Sequence, residues 1–123
     1  MKVFIADDSV VLRERLVTMF ADVPGMEIVG QAGEGLEATD AIRRLEPDVV
    51  ILDIRMPGGN GIDALKSIKK ETPAPAVIML TAYPYPQYRK KCLEAGADYF
   101  FDKSTEFQKV TTTLKQLRGK LGG

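Results

Sequence analysis

Two hydrophobic periods alternate along the chain, five times over. Val3 to Ala6, Val49 to Leu52 and Ala76 to Leu80 are unbroken apolar runs closed by polar or turn residues. Runs of this kind predict strands buried on both faces. Met26 to Ala32 and Asp98 to Phe101 predict a second and a fifth strand of looser pattern. Between them the apolar residues recur at helical spacing. Leu12, Leu16, Met19, Phe20 and Val23 mark a first helix, which Asp8 or Ser9 can cap and Pro24-Gly25 ends. Ala38, Ala41, Ile42 and Leu45 mark a second helix that stops before Pro47, and Ile62, Leu65 and Ile68 a third that ends near Thr72-Pro73. The stiff connection Tyr83-Pro84-Tyr85-Pro86 leads into a fourth, from about Gln87 to Ala95. Its apolar face is thin, with Tyr88, Cys92 and Ala95 the best candidates. Ser104 is placed to cap a last helix striped by Phe107, Val110, Leu114, Leu117 and Leu121, before a Gly122-Gly123 tail.

Strand and helix in regular alternation predict an α/β fold, a parallel sheet with helices on both faces. Right-handed crossovers favour a flavodoxin-like, doubly wound, five-stranded sheet of order 2-1-3-4-5 with five helices. The 123 residues suit one domain, 1–123. Lys plus Arg and Asp plus Glu both number 17, so the net charge is zero and no electrostatic footprint for nucleic acid or membrane is expected. The single cysteine, Cys92, allows no internal disulfide and fits a reducing, cytoplasmic setting. It is most simply a small buried hydrophobe. The chain has no histidine, which excludes histidine-based catalysis, histidine metal ligation and a phosphohistidine carrier.

In the predicted order the first and third strands are neighbours, so Asp7, Asp8 and Asp53 converge at the carboxyl edge of the sheet, where ligands bind in open α/β folds. Asp53 stands where the Val49–Leu52 run stops, ahead of the Pro57-Gly58-Gly59 loop. Three converging carboxylates raise one another's pKa, and a hard divalent cation, Mg²⁺ best of all, would relieve them. Lys103 after the fifth strand can balance charge or hold a phosphoryl oxygen, and Thr81 after the fourth offers a hydroxyl. Acids, a metal, a lysine and a hydroxyl, with no thiol or histidine base, suit phosphoryl transfer to a carboxylate. Each residue also has a plain structural role: Asp7-Asp8-Ser9 as a helix cap, Asp53 as a turn former, Thr81 as a strand end, Lys103 as a surface lysine. Their joint occurrence at four strand ends carries the functional reading.

Asp7-Asp8, Asp53-x-x-Met56-Pro57-x-x-x-Gly61, Thr81-Ala82, Gly96-Ala97-Asp98 and Lys103 together resemble the receiver domain of bacterial two-component response regulators, over essentially the whole chain. The resemblance implies that Asp53 is the phosphoacceptor and that Asp8, Asp53 and the Arg55 backbone carbonyl ligate Mg²⁺, with Asp7 helping directly or through water. Lys103 would pair with the phosphoryl group, Thr81 would be the switch hydroxyl, and Phe100 the switching aromatic. A sensor histidine kinase or histidine phosphotransfer protein would be the donor. The face of the fourth helix, fifth strand and fifth helix would act on an output domain or protein, with a phosphorylation-dependent dimer possible. The chain would be a signalling phosphoacceptor that assists its own phosphorylation and dephosphorylation, not a turnover enzyme. It departs from the family in carrying Ser104 where a proline is common and Phe100 where a tyrosine is. Arg55 and Tyr83 occupy the two positions that tune phosphoryl lifetime, and a bulky Tyr83 beside Arg55 is expected to hinder the attacking water. Three rival functions would share this fold or chemistry. A pseudo-receiver used only for docking would usually lose part of this set. A haloacid-dehalogenase-type phosphatase needs an Asp-x-Asp motif, and a flavodoxin needs a Thr/Ser/Gly-rich phosphate loop; Asp7-Asp8-Ser9 matches neither.

Overall fold

The computed structural model describes residues 1–122, with side chains up to Lys120. The side chain of Leu121 in the predicted stripe, and the end of the Gly122-Gly123 tail, lie outside the described residues. The elements run β1 (Lys2–Ala6), α1 (Val10–Phe20), β2 (Glu27–Ala32), α2 (Gly35–Leu45) and β3 (Val49–Leu52). They continue with α3 (Gly61–Lys69), β4 (Ala76–Thr81), α4 (Pro86–Glu94), β5 (Tyr99–Asp102) and α5 (Lys109–Gly122). The strands form one sheet of order β2-β1-β3-β4-β5, every pair parallel. This is the flavodoxin-like order that the alternation predicts.

Side chains alternate across each strand, and the two sets fill two cores. Phe4, Ala6, Val50, Leu52, Val77, Met79 and Phe100 pack with Ala38, Ile42, Leu65, Ile68 and Cys92 of α2, α3 and α4. Val3, Ile5, Val49, Ile51, Ile78 and Leu80 pack with Leu16, Phe20, Val110 and Leu114 of α1 and α5. The central strands β1, β3 and β4 are buried on both sides, which is why they read as continuous apolar runs.

Ser9, one of the two expected candidates, caps α1: its side chain accepts the Leu12 N–H at 3.2 Å. Two boundaries depart from expectation. Val23 lies beyond the end of α1 yet is buried. Ser104 does not cap α5. The carboxylate of Asp102 accepts both its N–H at 2.8 Å and its hydroxyl at 3.0 Å. Residues 103–108 form turns, and α5 begins only at Lys109. An aspartate at a strand end competes for the following backbone donors and delays the helix.

The thin face of α4 is upheld. Cys92 is the one fully buried residue of that helix, while Tyr88 and Ala95 are half-buried at its margin. Burial pushes the Cys92 thiol up to about 11, so its thiolate is scarce at neutral pH. A disulfide reagent at pH 8 is expected to label Cys92 of the native chain at least ~100-fold more slowly than the urea-unfolded chain. Equal rates would mean that α4 does not cover it.

Candidate functional site

The backbone places the site before any side chain is considered. Asp7, Asp53 and Lys103 each stand one position beyond a strand. Each spends its own N–H on a further rung to a neighbouring strand: Asp7 to the Ala32 carbonyl at 2.9 Å, Asp53 to that of Ala6 at 3.0 Å and Lys103 to that of Thr81 at 2.9 Å. Their Cα positions are therefore held by the sheet, not by loops. Gly61 allows α3 to start hard against this edge, since a Cβ there would overlap the Asp53 carbonyl oxygen.

Three strand-end side chains then turn the chain away by accepting the N–H two residues on. Asp7 Oδ1 takes that of Ser9 at 2.8 Å, Thr81 Oγ1 that of Tyr83 at 2.9 Å, and Asp102 Oδ1 that of Ser104 at 2.8 Å. Such local turns are what Asp and Thr do at the end of a strand. They leave Asp7 with one free oxygen and Thr81 with its hydroxyl proton.

The carboxylates of Asp7, Asp8 and Asp53 meet with an oxygen of each within 4.8 Å of the others. Asp7 and Asp53 are buried, while Asp8 is exposed. Lys103 Nζ bridges the two buried acids, 2.7 Å from Asp7 Oδ2 and 3.1 Å from Asp53 Oδ2. The other oxygen of Asp53 accepts the Ile54 N–H at 2.7 Å. Burial, and then the charge of Asp7, raise the Asp53 pKa from 3.8 to about 6, against the opposing pull of Lys103. Burial works against the Lys103 ammonium as well, but its bond to Asp7 and the charges of Asp53 and Asp7 prevail and raise its pKa. Three carboxylates against one ammonium leave two negative charges uncompensated, and every donor is a hard oxygen. That donor set fits a divalent cation of the Mg²⁺ type.

The structure thus brings together Asp7, Asp8, Asp53 and Lys103. Thr81 closes the neighbouring strand, fully buried. Phe100 is buried among the residues facing α3 and α4, with the Arg89 guanidinium 5.6 Å from its ring centroid. Arg55 lies on the surface behind Asp53, its guanidinium 3.9 Å over the Tyr83 ring. Sequence reasoning passed over Arg13. Its Nη1 donates to the Asp7 carbonyl at 2.5 Å, tying α1 to the acid-bearing loop. In the sequence it looks like one more polar residue off the apolar stripe, and only the entry angle of α1 reveals it.

Residues 3–115 match the family model of the response regulator receiver domain. The chain belongs to that family. Among curated relatives it is 38% identical over 119 residues to the uncharacterized transcriptional regulatory protein YhcZ of Bacillus subtilis, covering 97% of this chain and 55% of that one. Among solved structures it resembles the response regulator domain of Thermotoga maritima CheB, with TM-score 0.85, 34% identity and coverage of 100% and 97% of the two chains. It also resembles a chain of the CheX-CheY-BeF3-Mg complex of Borrelia burgdorferi, with TM-score 0.80, 32% identity and coverage of 93% and 89%. The chain spans about half or less of the length of the curated relatives it matches. As a receiver it is a signal-transduction domain of the two-component type, and phosphoacceptance follows from the family. No helix among the described residues is long and apolar enough to cross a membrane.

The raised Asp53 pKa has a stability consequence. The fold disfavours the charged carboxylate, so this site destabilises the metal-free protein increasingly as pH rises from about 4 through about 6, and fully above that. In EDTA at pH 7, Asp53→Asn is expected to be more stable than the wild type by on the order of 1–3 kcal/mol in urea unfolding. The advantage should vanish below about pH 4.

Proposed function

We propose that Asp53 is the residue that receives the phosphoryl group, from a sensor histidine kinase or histidine phosphotransfer protein, and that 1–123 works as one receiver domain. The observation that carries this is the placement of its buried carboxylate between two further acids and the Lys103 ammonium. An Asp53 oxygen attacks phosphorus, the bond from phosphorus to the donor nitrogen breaks, and the donor imidazole leaves with that electron pair. Lys103 sits 3.1 Å from the attacking carboxylate and offers its positive charge to the phosphoryl oxygens. Asp8, Asp53 and the Arg55 carbonyl would hold Mg²⁺, with Asp7 helping directly or through water. The magnesium in the Borrelia relative's complex and the two uncompensated charges here support that reading. When bound, the ion supplies positive charge against the phosphoryl oxygens.

Phosphorylation adds roughly 1.5 to 2 negative charges and strong acceptor oxygens to this pocket. The Thr81 hydroxyl already uses its oxygen on Tyr83 and keeps its proton to donate. Drawing Thr81 inward frees space beside Phe100, which is buried from the start. The switch is then a repacking of a core ring, not the entry of an exposed one. It biases the α4–β5–α5 face toward an output domain or partner, in the manner of a two-state equilibrium, and can support a dimer. The chain assists its own phosphorylation and dephosphorylation and makes no direct contact with nucleic acid or membrane. A cytoplasmic site of action fits the kinase donor and the single free thiol.

Intact-mass spectrometry with a small acyl phosphate tests this directly. One added phosphoryl group, absent with EDTA and absent in Asp53→Asn, is the expected result. Addition that survives Asp53→Asn would refute the assignment, and no addition from acyl phosphate or from a phosphorylated kinase would return the chain to a docking role. Lifetime is a separate matter. The Arg55–Tyr83 stack supports the shielding of the phosphoryl group from water. Tyr83→Ala is expected to shorten the half-life of the phosphorylated chain by about threefold or more, followed by mass decay; an unchanged half-life would remove Tyr83 from that role.

A further inference from the structure

Arg55 does more than lie beside Tyr83. Its Nη2 reaches the Tyr88 hydroxyl at 3.5 Å, the long limit of a hydrogen bond. Tyr83 and Tyr85 lie with ring centroids 6.4 Å apart, and Tyr85 and Tyr88 5.7 Å apart, both tilted. These four side chains close a circuit. It runs from the loop after Asp53, across the Tyr83-Pro84-Tyr85-Pro86 connection, into the first turn of α4 and back to the guanidinium. The two prolines stiffen the connection on which Tyr83 and Tyr85 sit.

The circuit matters because α4 has little else to hold it. Cys92 is its only fully buried residue. Beyond that, Arg89 donates to the Phe100 carbonyl at 3.3 Å. No carboxylate lies within ion-pair distance of Arg55 among the described residues, so the stack on Tyr83 and the reach to Tyr88 are its polar engagements. The same Tyr83 gives its N–H to Thr81. Any displacement of Arg55 or Thr81 at the acceptor site therefore pulls on a ring that is linked to α4 through Tyr85.

We propose that Arg55 latches the N-terminal half of α4 to the loop carrying Asp53, and that loosening of this latch reports the acceptor site to α4 in parallel with the repacking of Phe100. Arg55 and Tyr88 act here as positioning residues. Only the reporting half rests on Asp53 being the phosphoacceptor; the latch itself does not. A cation–π contact at an exposed site with one weak hydrogen bond predicts a modest grip, about fivefold in local opening, or roughly 1 kcal/mol.

Amide hydrogen exchange on the full chain tests both halves. Without metal or phosphate analogue, Arg55→Ala is expected to speed exchange in residues 88–93 about fivefold and leave β1 and β3 unchanged. Tyr88→Phe, which keeps the ring, should give a smaller increase, and Arg55→Lys an intermediate one. Exchange in Arg55→Ala within experimental error of wild type would overturn the latch, as would an equal rise across β1 and β3. With Mg²⁺ and beryllofluoride, whose binding is read independently by fluorine NMR, wild type should gain exchange in 88–93 and Arg55→Ala should gain less. An equal gain in both would overturn the reporting role. Absence of a bound-fluoride signal would instead refute the acceptor reading, leaving the latch to stand or fall on the ligand-free comparison.

Discussion

The whole arrangement depends on two like-charged side chains being held together by the backbone. Asp7 and Asp53 follow adjacent parallel strands, and each uses its own N–H for a further rung to its neighbour. A flexible loop would let the carboxylates separate, because their repulsion is unfavourable in a buried setting. The sheet removes that freedom. Lys103, tied by the same device to Thr81, arrives from the far strand and lies between them. The site is thus a small volume of excess negative charge in which strand pairing fixes the backbone of Asp7, Asp53 and Lys103.

That volume is a cost which the cores on either side of the sheet offset. Fully buried Ile and Leu side chains pack on both faces of the sheet, each contributing on the order of 1.5–3 kcal/mol by leaving water. A site that disfavours its own charge is poised to be answered by added positive charge, so ligand binding and stability are linked here through one group. The periphery is held differently. Helix α4 relies on one thiol, a guanidinium to a carbonyl, and a surface circuit of tyrosines. Elements with so few buried contacts open at lower free energy than the core strands.

Much of this could be read from the amino-acid order, for physical reasons. Continuous apolar runs such as Val49–Leu52 survive only between two helical layers, so the sheet and its covering helices were legible. The halt of that run at Asp53 put a carboxylate at the sheet edge, and the same reasoning placed Thr81 and Lys103. What was not legible depended on competition or direction. Ser104 looked like a helix cap, but Asp102 had the prior claim on its donors. Arg13 reads as a solvent-facing helix residue, because nothing in a linear pattern tells the angle at which α1 leaves the site. Tyr88 was read for its ring, whereas its hydroxyl makes the contact with Arg55.

The strand order carries one more consequence, for the order in which the protein comes into being. A chain emerging from the ribosome can pair β1 with β2 early, since α1 alone separates them. Asp7 and Asp8 are then present with no third acid. The insertion of β3 beside β1 brings Asp53 against Asp7, while Lys103 lies 50 positions further along the chain and emerges later. Until β5 closes the far edge, the nascent domain carries its acids without their ammonium. Docking of β5 is therefore favoured by charge neutralisation as well as by burial of Phe100.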